Sequence, residues 1–277
     1  MSKTILITGG TGFIGSNINK KHLKSYDVYY LTNRKTIKKA TKKKIVNKKN
    51  IFNKIKSIDY LIHLAGVDDY YKGIRYENIN KDLDKLLKKI ILTYKPKKTI
   101  FTSTNRVYEN TKKSFVTENT KTNTLNRYAK NKLVTEKILK KTKFNYIVLR
   151  LPSVISKKFS KGLIFRILEK IKKNEKLDIF NPNSLFNNIV HVDELIDIIF
   201  YSLKKKLIKN LILNISSAEP IKLKDVVNLL LTKTKSNSSI NILSSKKNSK
   251  YYSTKLQKKM YGKKISSTKK TLLKLFR

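Results

Sequence analysis

The chain has 277 residues, a formal net charge of +46 and no cysteine, so disulfides and cysteine metal sites are excluded. Its 39 % hydrophobic content is enough to bury a core and excludes global disorder, and no apolar run approaches the ~20 residues that span a bilayer. Only seven of the 64 basic residues are arginine, the side chain that best reads phosphates and bases.

Ile5–Thr8 is a β-type run that ends at glycines, and Gly12 to about Leu23 suits a helix. Asp27–Leu31 is a second strand. The lysine-rich 35–49 stretch reads as a surface helix and turn with a short strand at Ile45–Val46. Asp59–Ala65 is an apolar strand suited to burial on both faces. Tyr76–Leu92 has helical spacing, Lys98–Ser103 is a strand, Tyr128–Leu139 a helix, and Tyr146–Leu151 a strand that stops at Pro152. This alternation argues for an α/β fold of the Rossmann type, a doubly wound parallel sheet. After Pro152 the rhythm changes. Helices are expected at Leu163–Ile171, Asp193–Leu203, Leu223–Leu231 and Lys269–Phe276. Short strands are expected at Leu177–Phe180, Asn188–Val192, Leu211–Ile215 and around Ile240–Leu243. Residues 1–152 are therefore expected to form a dinucleotide-binding domain, to which a segment near 186–216 returns. The rest of 153–277 is expected to form a small mixed substrate lobe.

Four of only eight glycines (Gly9, Gly10, Gly12 and Gly15) stand in LITGGTGFIG. The stretch follows a strand and opens a helix, the context in which G-x-G-x-x-G cradles a pyrophosphate. At the end of the second strand, where an acid would bond a ribose 2′-hydroxyl, the chain reads Thr32-Asn33-Arg34-Lys35. No acid is present and bases follow, which favours NADP(H) over NAD(H). Tyr128 and Lys132 are four residues apart on one helix face. A cation beside a phenol lowers its pKa and suits it to acid–base work on a carbonyl/hydroxyl pair. Ser103, Thr104 and Asn105 end a strand at the edge that faces the ligand crevice in open α/β sheets. His22, His63 and His191 lack ligand spacing, so no metal site is expected. His63, in an apolar strand, reads as a hydrogen-bonded core residue.

Together these pieces resemble the extended short-chain dehydrogenase/reductase superfamily, in its NAD-dependent epimerase/dehydratase (nucleotide-sugar) branch. The likeness runs in order along nearly the whole chain: ITGGTGFIG, DYLIHLAG (59–66), YENIN (76–80), FTSTNRVY (101–108), YAKNK (128–132), VLRLPSV (148–154), NNIVHVDEL (187–195) and STKLQKKMYG (253–262). The resemblance implies that Tyr128 is the acid/base, that Lys132 holds the nicotinamide ribose, and that Thr104, rather than Ser103, meets the substrate hydroxyl. It implies cofactor contacts at Gly9, Gly12, Phe13, Ile14, Gly15, Asn33, Arg34, Asn47, Leu64, Ala65, Gly66, Asn78, Pro152 and Val154.

Three departures stand out. The acidic pair that follows the catalytic Thr in 4,6-dehydratases is Asn105-Arg106, which argues against dehydration. The Arg that contacts the nucleotide in many members is Asn187. A second glycine-rich stretch is replaced by Ile155-Ser156-Lys157-Lys158, so Lys157, Lys158 or Lys161 is a candidate to meet the nucleotide.

The expected function is a cytoplasmic nucleotide-sugar epimerase or 4-keto-sugar reductase, serving surface polysaccharide, with a homodimer compatible. The short chain mildly favours the reductase. The alternative is a non-enzymatic protein of the same fold that binds RNA or a protein partner through its charge. Lysine spread along the whole chain resembles the codon bias of an AT-rich genome more than a nucleic-acid surface, and the retained Tyr128, Lys132 and Thr104 favour the enzyme.

Overall fold

The computed structural model describes residues 2–32, 44–66, 74–157, 162–205, 210–244 and 249–276. They form two compact units. One comprises Met1–Val107, Thr124–Arg150 and Ile196–Leu213; the other comprises Tyr108–Asn123, Leu151–Leu195 and Asn214–Arg277.

The first unit is built on strands β1 (Lys3–Thr8), β2 (Tyr26–Leu31), β3 (Ile45–Val46), β4 (Tyr60–His63) and β5 (Lys98–Thr104), with Tyr146–Leu151 and Leu211–Asn214 completing a seven-stranded sheet. From one edge the order is Leu211–Asn214, Tyr146–Leu151, β5, β4, β1, β2, β3. β1 pairs in parallel with β2 and β4, and β4 with β5. The sheet order reverses beside β1, the switch point at which doubly wound sheets bind nucleotides. Every residue of β4, β5 and Tyr146–Leu151 is buried. β4 and Tyr146–Leu151 read as near-continuous apolar runs, as strands covered on both faces do, and were legible in sequence for that reason; β5 is buried with polar side chains among its residues. The helix Ile74–Tyr94 carries one crossover. Its Leu87, Ile90 and Ile91 pack with Leu6, Leu61, Phe101 and Val148 in one core cluster.

The expected helix from Gly12 to Leu23 is instead two single turns, Phe13–Ser16 and Lys20–Leu23. Asn17 Nδ2 donates to Phe13 O at 2.7 Å, and Asn19 is extended (φ −85°, ψ 154°). Asparagine side chains compete for backbone partners in this way and end helices.

The second unit has its own core. Helix Leu163–Lys172 buries Ile164, Ile167 and Ile171 in a cluster with Leu177, Phe186, Ile189, Val226, Val227 and Leu230. Around it lie short ladders: Leu177–Phe180 with Ile240–Leu243, and Ser153–Ile155 with Ile189–His191, both parallel. Phe115–Val116 pairs with Tyr251–Tyr252, and Leu185–Phe186 with Ile221–Lys222. Two-residue strands carry no period to read, and these were missed in sequence. So was the helix Lys255–Tyr261.

Candidate active site

β1 delivers the chain into the glycine turn. Gly9 has φ +70°, and a Cβ there would stand 2.6 Å from Ala65 N; only glycine permits that backbone and that approach. A Cβ on Gly15 would stand 2.5 Å from Gly10 Cα. Gly12 differs: it is exposed, and its Cβ would meet only Gly9 O, at 3.2 Å. Packing within the protein gives a weaker reason for glycine here than at Gly9 or Gly15, since a shift of a few tenths of an ångström relieves the contact. A close-lying pyrophosphate gives a good one, so the turn fits a dinucleotide. Because the following helix is one turn long, its dipole is small, and the cradle depends on close backbone approach. Phe13 and Ile14 are half-buried in that turn.

The segment after β4 lies beside this turn, with Leu64 and Ala65 half-buried and Gly66 exposed. Asn47 spends its side-chain oxygen on the N–H groups of Lys49 (2.9 Å) and Asn50 (3.1 Å). Asn78 is exposed on the Ile74–Tyr94 helix. Asn33, Arg34, Lys158 and Lys161 lie outside the described residues.

The Tyr128/Lys132 helix spans Arg127–Lys141 and starts at Asn126, whose Oδ1 accepts from Ala129 N at 2.9 Å. This cap satisfies one of the orphan N–H groups and sets Tyr128 in the first turn. Lys132 follows one turn later and is 6 % exposed. Its Nζ lies 5.6 Å from the Tyr128 ring centroid, 4.9 Å from that of Phe101, and 3.5 Å from Ala65 O. The ammonium thus sits beside the phenol ring and the backbone that follows β4. A small crevice there is lined by Gly66, Asn80, Asp84, Tyr128 and Lys132, among others.

β5 brings Thr104 to the same end of the sheet. Thr104 Oγ1 accepts from Arg106 N at 3.3 Å. Ser103 alternates to the other face and donates to Glu136 Oε1 at 2.6 Å. Glu136 is held by Arg150, with Nε at 3.1 Å from Oε1 and Nη2 at 2.7 Å from Oε2. Ser103 is therefore engaged in the interior. Asn105 is buried at the start of a tight turn, and Arg106 is exposed.

His63 accompanies Thr8, with Nδ1 and Oγ1 2.8 Å apart. Burial pushes its pKa down to about 3, and the charge of Lys132 acts in the same direction. It is a neutral core residue at ordinary pH. Among the described residues, no three His, Asp or Glu side chains gather as a metal site.

In the second unit, Val154 pairs with Val190 in the Ser153–Ile155 ladder, and Pro152 precedes it half-buried. Asn187 is fully buried. Its Nδ2 donates to Tyr252 O (2.8 Å) and Ser217 O (3.1 Å), and its Oδ1 accepts from Tyr252 N (2.9 Å). The amide clamps three backbone segments together.

Sequence reasoning missed Glu136, Arg150 and Asp84. One signal was available: Arg150 interrupts the apolar run YIVLRL, and a charge in a buried strand demands a partner.

The crystal structure of Thermotoga maritima UDP-glucose 4-epimerase with UDP-glucose matches with a TM-score of 0.78 at 22 % identity, covering 99 % of this chain and 97 % of that one. The Bordetella bronchiseptica enzyme WbmG in complex with NAD matches with a TM-score of 0.82 at 17 % identity, covering 99 % and 93 %. A Methanocaldococcus jannaschii protein provisionally named a UDP-glucose 4-epimerase is 29 % identical over 213 residues, 69 % of this chain and 70 % of that protein. Residues 5–216 match the profile of the NAD dependent epimerase/dehydratase family. With the glycine turn, the parallel sheet and this match agreeing, the chain belongs to the NAD-dependent epimerase/dehydratase family of extended short-chain dehydrogenases/reductases.

Proposed function

We propose that the chain is an NAD(P)-dependent nucleotide-sugar 4-epimerase that makes a sugar for surface polysaccharide. The placement of the Lys132 ammonium 5.6 Å from the Tyr128 ring centroid, beside Ala65 and Gly66 just after β4, carries this reading. When bound, the nicotinamide supplies the hydride acceptor and donor. Tyr128, as phenolate, takes the proton from the sugar C4 hydroxyl and returns it when the alcohol re-forms. Lys132 favours that phenolate by its charge. Thr104 Oγ1 hydrogen-bonds the reacting oxygen. Inversion requires hydride to leave one face of C4 and return to the other, so the 4-keto sugar must turn within the site.

The named relatives favour epimerisation over reduction of a 4-keto sugar, which is the second reading. Asn105 and Arg106 lack the acidic pair for dehydration. The absence of an acid after β2 and the presence of Arg34 support binding of NADP(H) at least as tight as that of NAD(H), although the WbmG complex holds NAD. Cytoplasmic location and a homodimer belong to this reading. Among the described residues, no helix is long and apolar enough to cross a membrane.

The test is incubation with UDP-glucose, UDP-N-acetylglucosamine, UDP-glucuronic acid and a 4-keto-sugar nucleotide, with each oxidised and reduced cofactor. Reduction adds two hydrogens and is read by mass. Epimerisation leaves mass unchanged and is read by proton NMR. Failure to bind any nicotinamide cofactor, or full activity in Tyr128→Phe, refutes the proposal.

A further inference from the structure

Asp84 stands on the Ile74–Tyr94 helix and lines the same crevice as Lys132 and Tyr128. It is the one carboxylate among the described residues of that lining. Thr135 Oγ1, one turn beyond Lys132 on its own helix, donates to Asp84 Oδ1 at 2.7 Å. The same hydroxyl lies 3.3 Å from Asn131 O. Asn131 Nδ2 is buried without a hydrogen-bond partner among the described residues, so a donor is left over in the same crevice. Lys132 itself is 6 % exposed, and a desolvated ammonium needs an opposite charge nearby.

We propose that Asp84 is a positioning residue, the counter-charge that keeps Lys132 protonated and in place beside Tyr128. The inference rests on the reading of Tyr128 and Lys132 given above. Among the described residues, the other groups that line the crevice do not compete for this role. From β4 the crevice is also lined by His63, which is uncharged above about pH 3. From the Arg127–Lys141 helix Thr135 bonds Asp84, and Lys132 and Tyr128 line the same crevice. On its own helix Lys81, Lys85 and Lys88 are exposed and are screened by solvent. Burial raises the Asp84 pKa, while the Thr135 hydrogen bond and the charge of Lys132 oppose that rise. The attraction is mutual: the Asp84 charge favours the ammonium form of Lys132.

The test is the affinity of NADH and NADPH, read by nucleotide fluorescence, from pH 6 to pH 10 in wild type, Asp84→Asn, Asp84→Glu, Thr135→Val and Lys132→Met. Affinity is expected to weaken on the alkaline side as Lys132 loses its proton. In Asp84→Asn that weakening should begin about one pH unit lower, while Asp84→Glu and Thr135→Val should keep the wild-type onset. Thr135→Val should lower the melting temperature only. If Asp84→Asn and Thr135→Val lose stability alike and keep the wild-type onset, Asp84 is merely structural and the proposal is overturned. If Lys132→Met binds both cofactors like wild type, the reading of Lys132 itself fails.

Discussion

Gly9 and Gly12 belong to one motif but do different work, and substitution separates them. Gly9→Ala places a Cβ 2.6 Å from Ala65 N at φ +70°. It is expected to destabilise the fold by roughly 1–3 kcal/mol, seen as a lower urea midpoint. Gly12→Ala meets only Gly9 O at 3.2 Å. It should lower the midpoint clearly less than Gly9→Ala does, yet weaken dinucleotide binding at least tenfold. Equal stability losses in both would remove the cofactor explanation for Gly12. His63 supplies a pH prediction. Its folded pKa is depressed to about 3, so below the ordinary histidine value of 6.5 the unfolded chain binds a proton that the folded chain refuses. Stability is therefore full above pH 6.5 and falls with acid at up to about 1.4 kcal/mol per pH unit from this residue. His63→Gln should flatten that part of a urea-midpoint profile between pH 6.5 and 4.

At the scale of elements, the Arg127–Lys141 helix is held to the sheet by the Ser103–Glu136–Arg150 cluster. Glu136 and Arg150 are 2 % and 4 % exposed. Removing one partner of a buried pair leaves the other charge uncompensated, at a cost of about 3–5 kcal/mol. Glu136→Gln and Arg150→Met are each expected to lower stability by that order. Ser103→Ala should cost about 1–2 kcal/mol and leave turnover close to wild type, since Thr104, not Ser103, is the hydroxyl assigned to substrate. A large loss of kcat in a well-folded Ser103→Ala would reverse that assignment. The Tyr128–Lys132 spacing could be read in sequence because both residues share one helix face. The Glu136–Arg150 pair could not, because the helix and the next strand bring together residues 14 positions apart. The helix expected from Gly12 to Leu23 failed for a local reason: Asn17 and Asn19 divert backbone partners, and spacing alone does not reveal it.

For the whole molecule, the +46 charge is a field more than a site. It should draw in an anionic nucleotide sugar, so KM is expected to rise with ionic strength while kcat changes little. Tight RNA binding with a steep salt slope, in a protein inactive on every nucleotide sugar, would favour the non-enzymatic alternative. The sequence by itself determined the alternation of strand and helix, the glycine turn after β1, and the Tyr128/Lys132 pair. Each is a short-range pattern set by chain geometry and burial on both faces of a sheet. Tertiary structure alone decided that Ser103 turns inward to Glu136, that Asn187 clamps backbone, and that Asp84 stands in the crevice with Lys132. These depend on which distant segments meet, and hydrogen bonding and charge across such contacts leave no period in the sequence.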